Sequence, residues 1–166
     1  MSMTISQGLR RISKLKGQLS ELQNRASAAV THLADQEPAF AFSASMEQIA
    51  KVRTELLALQ TAVAIANATT TIVWDGNGMT LALARRTLDE LRGEIAWLQK
   101  LPVKAHEKNV VATRDHDGEK YITVTQTFTC HLPEAKRADR VQALQDRFDK
   151  LNDIVETTNH KTTLGS

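Results

Sequence analysis

Apolar residues return every three or four positions along the first part of the chain. Ile5, Ile12, Leu19, Ala26 and Leu33 stand at sevenfold spacing, and Leu15, Leu22 and Ala29 fill the alternate seam positions. This pattern predicts a helix over residues 5–33 with a coiled-coil seam. Its other face carries Arg10, Arg11, Lys14, Lys16, Glu21 and Arg25, as a solvated helix face does. Asp35-Gln36-Glu37-Pro38 stops it, because Pro38 disfavours a helical conformation at the residue before it. The apolar stretch Ala39-Phe40-Ala41-Phe42 reads as a loop. Ser45 and Gln48 have capping-box spacing, which predicts a second helix over residues 46–66 with Ile49, Val52, Leu56, Leu59 and Val63 as its seam.

Asp75-Gly76-Asn77-Gly78 is a turn signal, since glycine tolerates positive φ. A third helix follows over residues 81–100, with Thr80 as N-cap and Leu81, Ala84, Leu88, Leu91, Ile95 and Leu98 as its seam. The period then changes. Residues 109–129, with a turn at Asp115-His116-Asp117-Gly118, alternate as a β-hairpin, and their Val and Thr content suits strands. Pro133 fits the first turn of a fourth helix, residues 133–158. The expected fold is mainly α: an antiparallel long-helix bundle or coiled coil, with one β-hairpin inserted before the last helix. The whole of residues 1–166 reads as one helical domain.

The second and fourth predicted helices end alike. Asn67-Ala68-Thr69-Thr70-Thr71-Ile72 matches Asn159-His160-Lys161-Thr162-Thr163-Leu164 at the same distance from the last seam residue, Val63 or Val155. Two readings stay open. Asn and Thr finish helices by bonding to nearby backbone groups, or the two tails form a paired polar site. An up-down-up-down topology would bring both tails to one pole, together with the first turns of helices one and three. Free N–H groups and positive dipole ends there favour an anion.

Residues available at such a pole are Arg10, Arg11, Asn67, Thr70, Thr71, Trp74, Arg85, Arg86, Asn159, His160, Lys161, Thr162 and Thr163. Asp75 and Glu156 are the neighbouring acids. The set suits a small phosphorylated ligand such as a nucleotide: cations for the phosphate, hydroxyls and amides for hydrogen bonds, and an indole for stacking.

Composition narrows the classes. A chain of 166 residues fits one domain, and a formal net charge of +2 argues against a partner that is a nucleic-acid polymer. Aromatic residues make up only 4%, so the core must be aliphatic. Cys130 stands alone, which excludes an intrachain disulfide and points to a reducing, cytoplasmic compartment. No apolar leader segment or run of membrane-spanning length occurs. His32, His106, His116, His131 and His160 have no metal-binding spacing. Asp115-His116-Asp117 reads as a solvated turn, and the Asp75-Gly76 turn lacks the Lys-Ser/Thr of a phosphate loop. A non-enzymatic protein with no cofactor is expected.

Asp75-Gly76, then Thr80-Leu81, Leu83-Ala84-Arg85-Arg86 and Leu88, preceded by Ile65-Ala66-Asn67 and Thr69, resembles the septicolysin-like family of small bacterial proteins; so does the ending Asn159 with Thr162-Thr163. The family has a single Trp where this chain has His160-Lys161, and the hairpin here is longer and richer in Thr. The family name implies membrane activity.

The leading expectation is an oligomeric binding protein that holds a small anionic, nucleotide-like ligand at the basic pole, as a phage-type sequestering protein would. The alternatives are a structural coiled-coil interaction module and a septicolysin-like membrane-active protein. A homo-oligomer through helical seams is expected, because the first helix carries more seam than partners of about 20 residues can cover.

Overall fold

Four helices and two antiparallel hairpins make up the chain: α1 (Ile5–Val30), α2 (Phe42–Thr69), β1 (Thr71–Trp74), β2 (Asn77–Thr80), α3 (Leu81–Lys100), β3 (His106–Arg114), β4 (Tyr121–Phe128) and α4 (Glu134–Lys161). The computed structural model describes residues 3–31, 41–104, 106–114 and 121–165. The break expected at 35–38, residues 39 and 40 of the apolar loop, and the hairpin turn at 115–118 lie outside the described residues, as does His32. The architecture is the mainly helical bundle that the seams imply, with a hairpin before the last helix.

Contacts divide the chain into two units. The first comprises Met1–Thr87 and Leu151–Ser166, the second Leu88–Lys150. In the first, α1 and α2 run antiparallel. Arg11 near the start of α1 pairs with Glu55 of α2 at 2.6 Å. Further along α1, Ala26 and Val30 share a groove with Phe42, Met46 and Ile49 at the start of α2. Ile5, Leu15, Ala26 and Ala29 of α1 and Ile49, Val63 and Ala66 of α2 are buried. At the other end of that interface Gly8 lets α1 come close: a Cβ there would lie 2.8 Å from Cδ1 of Leu164 and 3.2 Å from Cγ2 of Val63.

In the second unit α3 and α4 are antiparallel neighbours. Leu88, Leu91, Ile95 and Leu98 form a buried stripe. Arg140 pairs with Glu94 at 3.3 Å, and the Arg92 guanidinium lies 5.3 Å from the Phe148 ring centroid. Arg137 donates to the carbonyls of Gln99 (3.0 Å) and Leu101 (3.4 Å), which places a cation on the negative end of α3. The β3–β4 register pairs His106 with Phe128 and Arg114 with Tyr121, with an irregularity between Val111 and Thr113.

Four helix boundaries differ most from the sequence expectation. α1 ends at Val30 rather than residue 33. α2 begins at Phe42, a full turn before the expected start, so Ser45 is not its cap; buried inside the helix, its hydroxyl donates to the Ala41 carbonyl at 3.2 Å. Both tails begin inside helix, since α2 runs to Thr69 and α4 to Lys161. The additional hairpin β1–β2 lies where only a turn was expected. Asp75 (φ 49°) and Gly76 (φ 77°) both take positive φ, the pattern of the tight two-residue turn that matches strand twist. Because α2 is longer than expected, it reaches both ends of α1, and Ile12, Leu19 and Leu22 are at least half-covered. Exposed large apolar side chains remain on several elements: Phe42, Met46, Leu57 and Ile65 on α2, Leu83 and Trp97 on α3, and Val30, Val73 and Phe128 on α1, β1 and β4.

Candidate functional site

In the first unit the start of α1, the end of α2, the start of α3 and the end of α4 come together, and the two tails build the same joint. Asn67 and Asn159 occupy the last turns of α2 and α4. The next threonine continues the helical bonding: Thr70 N–H donates to Ala66 at 2.9 Å and Thr162 N–H to Thr158 at 2.8 Å. Its carbonyl then accepts the first N–H of another helix. Leu81 of α3 donates to Thr70 at 2.9 Å, and Ile5 of α1 to Thr162 at 2.9 Å.

The following threonine pairs with that helix's N-cap, Thr71 with Thr80 and Thr163 with Thr4. Beyond it Ile72 faces Met79, and Leu164 N–H donates to the Met3 carbonyl at 2.8 Å. Each cap hydroxyl accepts from its own first turn, Thr80 from Leu83 N–H (3.2 Å) and Thr4 from Gln7 N–H (3.3 Å). Gln7 completes a capping box by accepting from Thr4 N–H at 3.0 Å.

The molecule therefore has an internal repeat in which a Met-Thr-aliphatic start meets an Asn-x-x-Thr-Thr-aliphatic end, twice. The matching ends stand out in the sequence more plainly than the matching starts. The signal was present as Met3-Thr4-Ile5 and Met79-Thr80-Leu81, each heading a seam: Ile12, Leu15, Leu19 and Leu22 after the first, Leu88, Leu91, Ile95 and Leu98 after the second.

This joint alters the chemistry at the pole. Of the first-turn N–H groups, those of Ile5 and Gln7 in α1 and of Leu81 and Leu83 in α3 already have protein acceptors. Recognition of an anion there would rest on side chains. Arg11 is engaged by Glu55, a neighbour the sequence reading had not counted. Arg10, Arg85, Arg86, His160 and Lys161 are exposed; Trp74 is half-buried on β1 and Thr71 exposed beside it.

A cleft of about 450 Å³ opens between the C-terminal part of α2 and the segment after α4, lined by Ala58, Thr61, Ala62, Ile65, Ala66, Thr69, Thr70, Thr162, Thr163 and Gly165. Of the residues expected at the site, Thr70, Thr162 and Thr163 line it; the others do not. The Thr69 hydroxyl donates to the Ile65 carbonyl at 2.9 Å, so toward the cleft it can only accept.

Behind the joint sit Asn67, 8% exposed, and the half-buried Asn159. Their Oδ1 atoms are both buried and both lack a hydrogen-bond partner. A buried acceptor without a partner costs roughly 1–3 kcal/mol, and here the cost falls on equivalent residues of both copies. Among the described residues no three His, Cys, Asp or Glu side chains gather as a metal site, and no helix is long and apolar enough to cross a membrane.

A helical bundle with two hairpins, carrying two repeated Thr joints at one pole, is the class this fold defines. The chain belongs to a family of unknown function, DUF6847, which matches it over residues 13–164. It is also similar to a functionally unknown conserved protein from Corynebacterium diphtheriae. That crystal structure is 15% identical in sequence, with a TM-score of 0.76 over 99% of this chain and 100% of that one, a likeness of fold alone. No curated protein matches the chain.

Proposed function

We propose that this is a non-enzymatic, cytoplasmic binding protein whose site is the cleft between α2 and the segment following α4. Its ligand is a small molecule with an apolar body and a phosphate group, of the nucleotide kind. The observation that carries the reading is the composition of that cleft: threonines from both repeated tails line a space of about 450 Å³ together with Ala58, Ala62, Ile65 and Ala66. This falls within the ~300–1,000 Å³ range of small-molecule sites, which combine apolar walls with a few placed polar groups.

The hydroxyls of Thr70, Thr162 and Thr163 can donate to an anionic oxygen. Lys161, which directly precedes Thr162, is the nearest cation in sequence. The surrounding helix ends are basic, with Arg10, Arg85, Arg86 and Lys161 against Asp75 and Glu156, while Arg11 is paired with Glu55.

Titration calorimetry against nucleoside monophosphates, cyclic nucleotides and inorganic phosphate tests this reading. At least one nucleotide should bind. Lys161→Ala should weaken it by about 1.5 kcal/mol, roughly tenfold, as expected for losing a charged hydrogen-bond partner. Thr163→Val should weaken it less. Failure of the whole panel to bind, or binding indifferent to both substitutions, would overturn the proposal.

A further inference from the structure

α2 carries two heptad seams, and the bundle covers only one of them. The inner seam holds Ser45, Ile49, Val52, Leu56, Leu59, Val63 and Ala66, all buried or half-buried. The outer one steps four and three residues at a time through Ala50, Thr54, Leu57, Thr61, Ala64 and Ala68, and every member is exposed. Leu57 is 66% exposed, and Ile65 beside the seam 59%.

No charged residue occurs anywhere in residues 56–74, although charged residues make up 24% of the chain. A solvated helix face normally carries charged and polar residues, so an uncharged outer face over several turns suits a covered one. The Thr54 hydroxyl donates to the Ala50 carbonyl at 3.1 Å, so its methyl group can face a dry contact with no donor left unpaired.

We infer that the outer seam of α2 is the contact of a homodimer, with α2 of a second copy packed antiparallel along residues 50–68. Charge sets the choice of occupant and its direction. The last turn of α2 contains no basic residue to meet its negative dipole end. Full antiparallel overlap of the seam about its midpoint brings Lys51 of the second copy beside that last turn, and its Arg53 about half a turn further in. The two-fold axis supplies both cations reciprocally and sets no like charges against each other. A parallel pair would stack Lys51 on Lys51 and leave the helix end unmet.

The small residues at 50, 64 and 68 allow close approach of the helices, and Leu57 and Thr61 interlock across the axis as knobs in holes. The seam is roughly 28 Å long. One helix stripe of that length covers far less than the ~800 Å² per partner of a standard interface, so the dimer is a weak one with a micromolar dissociation constant.

The seam shares Thr61 with the cleft lining and Ile65 stands between the two, but Ala50, Thr54, Leu57, Ala64 and Ala68 lie outside the cleft, so the inference does not rest on the ligand reading. Sedimentation equilibrium of the full chain from about 5 to about 500 µM spans the affinity expected for such an interface and should show a monomer–dimer transition. Leu57→Glu should weaken it at least about tenfold, as a charge buried at an interface centre does, while leaving the circular dichroism melt unchanged.

Spin labels at residue 47, introduced as Glu47→Cys with Cys130→Ser, give the direction. At 1.5 Å rise per residue the antiparallel pair separates them by about 36 Å, and a parallel pair by about 15 Å. A monomer at every concentration, a dimer indifferent to Leu57→Glu, or the short distance would each overturn the inference. Loss of nucleotide binding alone would leave it standing.

Discussion

Asn67 and Asn159 hold the same place in the two joints, and both keep a buried amide oxygen without a donor. For a group that only finishes a helix, evolution has cheaper choices, since an apolar residue of the same shape removes the desolvation cost. Asn67→Leu should therefore leave the ligand-free melting temperature unchanged or raise it by a few degrees, about 1 kcal/mol for a chain of this size. If the Oδ1 atom accepts from the ligand or from a water that bridges to it, affinity should fall in the same variant. Differential scanning calorimetry and titration calorimetry on one preparation check both halves. A loss of more than about 2 kcal/mol without ligand would show that the amide already has an internal role of the kind assigned to a satisfied buried group. The sequence displayed these two asparagines plainly. It could not display their missing donors, because the absence of a partner depends on which side chains the fold brings near.

Among the elements, the long helices were legible and their ends were not. Seam spacing located all four because burial of an aliphatic stripe dominates their stability. It gave no warning that α2 begins at Phe42, since the apolar residues preceding Ser45 continue the helix rather than leading into it. β1–β2 was missed although Thr70-Thr71-Ile72-Val73-Trp74 is a β-branched and aromatic run leading straight into Asp75-Gly76. Treating Asn67 to Ile72 as a helix tail hid the strand that its second half begins. The turn of this hairpin makes a direct test. With Gly76 at φ 77°, Gly76→Ala forces a Cβ into the left-handed region and should cost about 1–2 kcal/mol in urea unfolding. Asp75→Asn should be close to neutral, because both residues tolerate positive φ. Equal stability of Gly76→Ala and the parent would mean that the hairpin turns some other way.

At the scale of the whole molecule, the repeat makes a statement about connectivity. One joint is closed covalently: Ile72 runs through Val73, Trp74, Asp75, Gly76, Asn77 and Gly78 to Met79, its strand partner. The equivalent pair in the other joint, Leu164 and Met3, is joined by a backbone hydrogen bond of 2.8 Å. An Asp-Gly dipeptide inserted between Ser166 and Met1 would join Leu164 to Met3 through Gly165, Ser166, Asp, Gly, Met1 and Ser2, the same length of chain with the same turn residues in the same places. Opening the chain between Asp75 and Gly76 then yields a circular permutant in which the two joints have exchanged roles. If the joints are equivalent in the physical sense, with the same carbonyl-to-first-turn bond, N-cap pairing and aliphatic partner, neither needs to be the covalent one. The permutant should fold with the parent's helical circular dichroism and melt within several degrees of it, because a closed loop of equal length carries a similar entropic cost wherever it sits. It should also keep the cleft, whose lining includes residues from both joints. A permutant that fails to fold, while the parent with the same Asp-Gly closure in a cyclised chain folds normally, would show that the β1–β2 connection acts early and locally in folding. The repeat would then be one of final geometry but not of the route by which the chain reaches it.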